Sequence, residues 1–392
     1  MSVATNNPEI HDVPVERFKL GAITDVMYIK PEKFNLDEQL SPSAIYEVKV
    51  VDPYIEVYSA YERGKISAAE SVADTYAQVR RLAGKWSRKP GTVYFDENGE
   101  PQKKRGWGDP ASRDLFFNKR LKNPGLNAWR SKIPSSEALA DLSDPSHSDF
   151  ITGRDGEVAI SDHVTKKWLS LCTDAKGIRS RATVMAEVVK QFIADKTPDI
   201  GEADAKDFRW MSVACGTALP AMKAALKAEI SPDMMLIDLD KKALEATRKM
   251  AAEIGFSGSM TQRSDINIFK PEAMADLQAE LTANNQRPML IDAMGIFEYT
   301  GANLSVDSAQ FLRSIYDILS PGGRLVFGQM RSDRPNPDFT MGVVSWPYVE
   351  MRSPKEFMQI IRKAGIPTKS TTLYLPKDRV YTVGVIDKPL NA

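Results

Sequence analysis

The fold is decided by two stretches of this sequence, Phe208-Arg-Trp-Met-Ser-Val-Ala-Cys-Gly-Thr-Ala-Leu-Pro220 and Met234-Met-Leu-Ile-Asp-Leu-Asp240. Each contains an apolar run typical of a buried strand. Residues 214–218 carry so little side chain that the backbone can approach a ligand closely, and Pro220 suits the first turn of a helix. Asp238 can accept hydrogen bonds from the two hydroxyls of a ribose. The two stretches together indicate an α/β fold that binds a nucleoside-bearing ligand.

Strand-like and helix-like segments alternate beyond Asp238. The alternative, an ordinary strand, turn and helix followed by a solvated Asp238, does not predict this alternation. Helical spacing of apolar residues recurs in the segments 241–253, 271–283 and 308–319. Strand-like runs stand between and after them, at 260–265, 288–299 and 324–330. This alternation predicts a parallel sheet with helices on its faces.

The second half of the chain, roughly residues 205–388, resembles the class I S-adenosylmethionine-dependent methyltransferases. The glycine-rich motif of that family, an acid followed by Gly-x-Gly-x-Gly, corresponds to Ser212, Ala214, Gly216 and Ala218. The family's ribose acid, its acid near the adenine amino group and its Pro-Gly-Gly turn correspond to Asp238, Asp265 and residues 321–323. The resemblance implies an α/β, Rossmann-like seven-stranded methyltransferase domain with S-adenosyl-L-methionine as cofactor. Its final antiparallel strand pair would be residues 371–375 and 379–386.

The chain departs from the family motif at the acid. Ser212 lacks the negative charge that often orients the amino acid end of the cofactor, and Ala214 and Ala218 make the loop bulkier than glycine would. We expect alanine to allow close approach of a ligand if its φ angle is negative.

Two arginines are candidates to compensate for the lost acid. The resemblance implies a helix with closely spaced arginines before the first strand, and residues 161–195 have helical spacing there. Arg181 or Arg179 would then bind the methionine carboxylate through paired donors, although both could equally be surface charges. The cofactor-binding residues that we predict are therefore Ala214, Cys215, Gly216, Asp238, Leu239, Asp265, Ile266, Ala293, Met294, Arg179 and Arg181.

A narrower likeness is to a bacterial branch that includes enzymes making 3-hydroxy fatty acid methyl esters. It rests on residues 292–299, the turn at Pro321 and residues 346–356. This likeness implies substrate contacts for Tyr299, Trp346 and Arg352, and it would place Phe297 there too, although core packing is favoured for Phe297. The candidate catalytic residues, chosen by position alone, are Tyr299, Glu298, His163 and Tyr348.

Composition describes a globular protein without a membrane span. Of the 392 residues, 42% are hydrophobic and 27% charged, and no apolar run reaches the length of roughly 18 to 20 residues that crosses a bilayer. Residues 1–12 lack the features of a signal peptide, so we expect a cytoplasmic protein in which Cys172 and Cys215 are reduced thiols. Cys215 would pack against the cofactor rather than react. No metal-ligand spacing of Cys, His and carboxylates is present, and the sequence does not indicate an oligomeric state.

The first half differs in character from the second. We predict an α-rich accessory or cap domain over residues 1–200, joined to a methyltransferase domain over residues 201–392. Residues 80–132 are rich in Lys and Arg, with interleaved aromatics, and could bind RNA, but a solvated face with core aromatics is favoured because basic and acidic residues balance at 52 each. The aromatics are Trp86, Trp107, Phe116, Phe117 and Trp129.

Three functions are consistent with these features. The first is a methyltransferase that acts on a small-molecule or acyl-chain acceptor, at a carboxylate or hydroxyl. The second is an RNA methyltransferase that uses the basic segment, and the third is a non-catalytic or nicotinamide-binding nucleotide fold that serves as a scaffold. The Pro-Gly-Gly turn and the ordered acids Asp238 and Asp265 favour S-adenosylmethionine over a nicotinamide.

Overall fold

The structure is a computed structural model, and it describes part of the chain. The described residues are 15–20, 23–29, 94–95, 101–102, 129, 132–133, 135–144, 169, 173–200, 208–301, 306–334, 349–376 and 378–391. The strands are β1 Val15–Leu20, β2 Ile23–Ile29, β3 Tyr94–Phe95, β4 Pro101–Gln102, β5 Arg209–Val213, β6 Asp233–Ile237, β7 Ser259–Arg263, β8 Leu290–Ala293, β9 Arg324–Met330, β10 Thr371–Pro376 and β11 Tyr381–Asp387. The helices are α1 Ser136–Ser143, α2 Thr173–Ile200, α3 Leu219–Lys227, α4 Lys241–Ile254, α5 Pro271–Ala283, α6 Ser308–Ile318 and α7 Pro354–Lys363.

Nine of the described strands form one mixed sheet, in the order β1-β2-β10-β11-β9-β8-β5-β6-β7. The five strands from β9 to β7 in this order are parallel, and β11 runs antiparallel to both β9 and β10. The seven strands β5 to β11 therefore form the Rossmann-like methyltransferase sheet that the sequence predicts. The predicted final pair is confirmed as β10 and β11, with Thr371 opposite Ile386.

The N-terminal strands extend this sheet, which the sequence did not lead us to expect. Strands β1 and β2 form an antiparallel pair, and β2 pairs antiparallel with β10, Ile29 opposite Leu373. A separate two-stranded antiparallel sheet is formed by β3 and β4. The boundary between the two predicted domains stays a prediction.

Helices cover both faces of the sheet. The central strands are buried throughout: every residue of β8 is buried, and so is every residue of β9 after Arg324. A parallel strand buried on both faces has an almost continuous apolar sequence, which explains why these segments can be read from the sequence alone. One hydrophobic core joins the sheet to α5, α6 and α7, and a second joins it to α2, α3 and α4.

Local signals place most helix ends where the sequence predicts them. Helix α5 spans the predicted residues, α3 carries Pro220 in its first turn, and the Ser353–Glu356 capping box begins α7. Helix α2 is described from Thr173 and ends at Ile200, five residues beyond the predicted end at residue 195. Most of the predicted start, residues 161–168 and 170–172, lies outside the described part of the chain.

Close packing between α2 and the start of β11 makes Gly177 sensitive to substitution. A Cβ atom at Gly177 would lie 2.3 Å from Cγ1 of Val380. We expect Gly177→Ala to lower the unfolding temperature, because overpacking costs about 1–3 kcal/mol and outweighs the gain of about 1 kcal/mol in helix propensity. Thermal unfolding followed by circular dichroism measures this. Lys190→Ala, on the exposed face of α2, is the control. Combining Gly177→Ala with Val380→Ala should recover stability. A Gly177→Ala variant as stable as wild type would contradict the close packing of Gly177 against Val380.

Candidate cofactor-binding site

The loop that joins β5 to α3 has a left-handed backbone at three positions. The φ angles of Ala214, Gly216 and Ala218 are 49°, 55° and 50°. The condition of a negative φ, under which alanine was expected to allow close approach of a ligand, is therefore not met at Ala214 and Ala218. A left-handed conformation costs a non-glycine residue about 1–2 kcal/mol, so surrounding hydrogen bonds must hold the loop in this shape.

Asp238 supplies one of those hydrogen bonds. Its Oδ2 accepts from the backbone N of Gly216 at 2.7 Å, and its Oδ1 accepts from the backbone N of Asp240 at 2.9 Å. Burial raises the pKa of this carboxyl, while the two backbone donors lower it. Each oxygen retains a lone pair that can accept a further donor. Leu239, next in the chain, is 54% exposed and offers an apolar surface beside the carboxylate.

A buried carboxylate, Asp292, lies at the end of β8, directly beside Ser212 on β5. The two residues are register partners in the parallel pair, and Ser212 Oγ donates to Asp292 Oδ1 at 3.0 Å. The indole Nε1 of Trp210 donates to Asp292 Oδ2 at 2.6 Å. Burial raises the pKa of Asp292 to about 7, and these two hydrogen bonds oppose that rise. No motif in the sequence marks Asp292 as part of the site.

The structure distinguishes the two candidate arginines. Arg181 is buried, and its guanidinium stacks 4.3 Å from the centre of the Tyr381 ring and lies 3.9 Å from Glu298 Oε1. Gly295 leaves room for it, because a Cβ there would be 3.2 Å from Arg181 Nη2. Arg179 instead donates from Nη1 to the backbone oxygens of Leu142 and Leu169, at 2.9 Å and 3.2 Å. Arg179 therefore fastens α1 and residue 169 to α2.

A cavity connects these groups. This cavity of about 80 Å³ lies between α1, α2 and the loop, lined among others by Ser136, Arg181, Ser212, Cys215, Asp292 and Gly295. Helix α1 covers the loop so closely that a Cβ at Gly216 would lie 2.9 Å from Ser136 Cβ. The contact explains why glycine is kept at this one position of the motif. Burial and the nearby carboxylates Asp238 and Asp292 raise the pKa of Cys215, so its thiol is a poor nucleophile.

The remaining predicted cofactor residues lie around the same strand ends. Asp265 follows β7 and has an exposed side chain that forms a bidentate ion pair with Arg263, at 2.9 Å and 3.0 Å. The pair with Arg263 lowers the pKa of Asp265. Ile266 and Ala293 are buried in the core that includes α5 and α6, and Met294 lines the cavity.

Glu298 is a buried acid in the short helical turn after β8. Its Oε1 accepts from the backbone N of Met330 at 3.1 Å, whereas its Oε2 is buried and has no hydrogen-bond partner among the described residues. Burial raises the pKa of Glu298, and the positive charge of Arg181 opposes that rise. A buried carboxylate with an unsatisfied oxygen is costly, which is typical of a functional position rather than a structural one.

The predicted substrate residues have different environments. Phe297 belongs to the hydrophobic core, 5.1 Å from the rings of Phe311 and Phe327, as favoured from the sequence. Tyr299 packs partly buried against the same core. Arg352 is buried, and its guanidinium donates to four oxygens at 2.6–3.0 Å, those of Phe297 O, Gln329 Oε1, Thr300 O and Ser308 Oγ. Trp346, Tyr348 and His163 lie outside the described residues.

Two further properties concern the described residues alone. They contain no group of three or more His, Cys, Asp or Glu side chains placed to hold a metal ion. None of their helices combines the length and the apolarity needed to cross a bilayer.

The strand order, with the loop at the carboxyl ends of the parallel strands, is that of a Rossmann-like methyltransferase fold. Residues 204–365, less than half of the chain, match a family model described as a methyltransferase domain. This part of the chain is therefore similar to methyltransferase domains.

Solved structures with a similar fold include three proteins of low sequence identity. A possible exported protein from Bordetella parapertussis is 14% identical, with 90% of this chain and 100% of that chain covered and a TM-score of 0.48. An O-methyltransferase family protein from Burkholderia thailandensis is 13% identical, with 87% and 95% covered and a TM-score of 0.41. The S-adenosylmethionine-dependent methyltransferase SibL in its apo form is 16% identical, with 68% and 73% covered and a TM-score of 0.39. No curated protein sequence matches this chain significantly.

Burial of Asp292 should make stability depend on pH. Because the pKa of Asp292 in the folded protein is about 7, folding favours its neutral form, and this contribution is lost as the pH rises from about 4 to about 7. We expect Asp292→Asn to be increasingly more stable than wild type over this range, by at most about 4 kcal/mol above pH 7. Chemical unfolding at pH 4, 5.5, 7 and 8 measures the difference. Asp265→Asn should show the opposite trend, because the pKa of Asp265 is lowered; parallel curves for Asp292→Asn and wild type would contradict the effect.

Proposed function

We propose that this protein transfers the methyl group of S-adenosyl-L-methionine to a carboxylate or hydroxyl of a small molecule or acyl chain. The observation that carries the proposal is the covered cavity at the ends of β5 and β8, in which Arg181 and Asp292 lie beside a left-handed loop. The cofactor, when bound, supplies an activated methyl group on a sulfonium. The protein then has to bind the acceptor, orient it toward the methyl group and exclude water.

The side chains around the cavity fit a nucleoside that carries an amino acid. The guanidinium of Arg181 suits the α-carboxylate because its donors are paired, and the free lone pairs of Asp238 suit the ribose hydroxyls. Leu239 would pack against the adenine, with Asp265 near its amino group. Helix α1 packs against the loop at Ser136 and lines one side of the cavity, beside the place proposed for the amino acid end.

Glu298 is the candidate base on the acceptor side. It is buried beside Arg181, its Oε2 has no hydrogen-bond partner, and its pKa is raised by burial. A carboxylate with this environment can take a proton from a hydroxyl acceptor during methyl transfer. An acceptor that is itself a carboxylate needs no base. The burial of Glu298 and Arg181 favours a small molecule or a narrow chain over a macromolecule.

The described end of the basic segment does not support the RNA alternative. Trp129 is buried, and its Nε1 donates to the backbone oxygen of Ala138 at 3.2 Å. Lys132 forms an ion pair with Asp141 at 3.0 Å. Both side chains hold α1 in place, which leaves neither of them to stack on a base or to neutralise a phosphate.

Cofactor binding distinguishes the two arginines. We expect Arg181→Gln to weaken binding of S-adenosylhomocysteine by about tenfold to a hundredfold, the value of a hydrogen bond to a charged group, and to leave binding of 5′-methylthioadenosine, which has no carboxylate, nearly unchanged. Isothermal titration calorimetry measures both affinities. Arg179→Gln is the matched control, because it should lower the unfolding temperature by loosening α1 and keep the preference for S-adenosylhomocysteine.

The proposal fails if wild-type protein binds neither S-adenosylmethionine nor S-adenosylhomocysteine. It also fails if Asp238→Ala binds them as tightly as wild type does. Binding of NADH in their place would establish the nicotinamide alternative.

The acceptor class can be tested by transfer of labelled methyl groups. We expect protein incubated with S-adenosylmethionine labelled in its methyl group to label a lipid or metabolite extract and to leave total RNA unlabelled. Glu298→Gln should reduce transfer to a hydroxyl acceptor at least about tenfold, since it removes the base, and should leave transfer to a carboxylate acceptor little changed. RNA labelling that disappears when the basic residues of 80–132 are neutralised would instead establish the RNA methyltransferase, and no labelling of any extract would favour the scaffold.

A further inference from the structure

The position of the family's lost acid is filled from the neighbouring strand. Ser212 stands where the motif has its acid, and its register partner across the parallel pair is Asp292 on β8. The two side chains lie on the same face of the sheet, because Ser212 Oγ donates to Asp292 Oδ1 at 3.0 Å. A carboxylate is therefore present beside the place that the motif assigns to it, on a different strand.

Asp292 has the capacity to accept a ligand. It lines the cavity although it is almost fully buried, and it is the one carboxylate among the described residues that line this cavity. Trp210 and Ser212 each donate one hydrogen bond to it, on different oxygens, so that each oxygen keeps an acceptor site. Arg181 lines the same cavity and is the one positively charged residue among its described lining residues. A zwitterionic ligand would therefore find a partner for its carboxylate and a partner for its ammonium group.

We propose that Asp292 binds the ammonium group of the methionyl end of the cofactor, in the role that the acid of β5 has in the family, and that Ser212 holds it in place. This inference rests on the proposed function. In this proposal the carboxylate stands on β8 instead of β5, and Arg181 and Asp292 together bind the amino acid end of the cofactor. Asp292 could instead have a purely structural role, as the acceptor of the Trp210 indole and the Ser212 hydroxyl. Its replacement would then affect ligands with and without the amino group equally.

The test compares two ligands on the full chain by calorimetry at pH 8. One is S-adenosylhomocysteine, and the other is the same compound without its amino group. Wild type should prefer the first by at least about tenfold, the value of a charge-assisted hydrogen bond, and Asp292→Asn should bind both with nearly equal affinity. Asp276→Asn, on the exposed surface of α5, controls for the loss of a charge and should keep the preference.

A double variant tests whether the acid has moved. Ser212→Asp combined with Asp292→Ser returns the carboxylate to β5 and should restore a preference for the amino group, even though the Trp210 indole loses its acceptor and stability falls. Equal affinities for the two ligands would contradict the movement of the acid between the strands.

A pH series on wild type requires no variant and so covers the case in which Asp292→Asn does not fold. The ionisable groups that line the cavity among the described residues are Arg181, Cys215 and Asp292. The preference for the amino group should shrink as Asp292 is protonated below about pH 7. A preference that is the same at pH 6 and pH 8, or an Asp292→Asn variant that weakens both ligands equally, overturns the proposal. If wild type binds neither ligand, the proposed function fails instead.

Discussion

The hydrogen bond from the Gly216 backbone to Asp238 is the interaction on which the site depends. At 2.7 Å it ties the end of β5 to the end of β6 and holds a loop in which two alanines have left-handed angles. Without this hydrogen bond, the cost of left-handed angles at Ala214 and Ala218 would favour another conformation of the loop, because neither position is a glycine. The same carboxylate thus sets the shape of the loop and is the group that we propose to bind the ribose, so a substitution of Asp238 would alter the loop as well as the proposed ligand site.

A second constraint is the arrangement of charge in the cavity. Arg181 and Asp292 come from a helix and from a strand that are far apart in the sequence, and each is oriented by neighbours: Tyr381 and Glu298 for the arginine, Trp210 and Ser212 for the aspartate. Buried charges of this kind lower stability unless they are paired or neutralised. Under the proposed function, a ligand that carries both charges would pair with both groups.

Much of the fold could be predicted from the sequence, because the central strands are mostly apolar and the helices carry clear periodicity and caps. The site could be predicted only in part. Arg179 and Arg181 lie about 200° apart around one helix, so the sequence could not say which faces the cavity without knowing where α2 packs. Asp292 was missed because its contact with Ser212 spans 80 residues and depends on the register of β5 and β8. The N-terminal strands were missed because pairing with β10 is decided at the other end of the chain.

The pairing of β2 with β10 also has a consequence for how the protein is made. Ile29 in β2 and its register partner Leu373 in β10 lie 344 residues apart, so β2 leaves the ribosome well before its partner does. During synthesis the antiparallel pair of β1 and β2 must therefore persist without its neighbour, and an isolated two-stranded pair is marginally stable in water. The pairing of β2 is completed only after β10 is available. Loss of β1 and β2 would expose the edge of β10, and loss of β10 would expose an edge of β2, to pairing with other molecules.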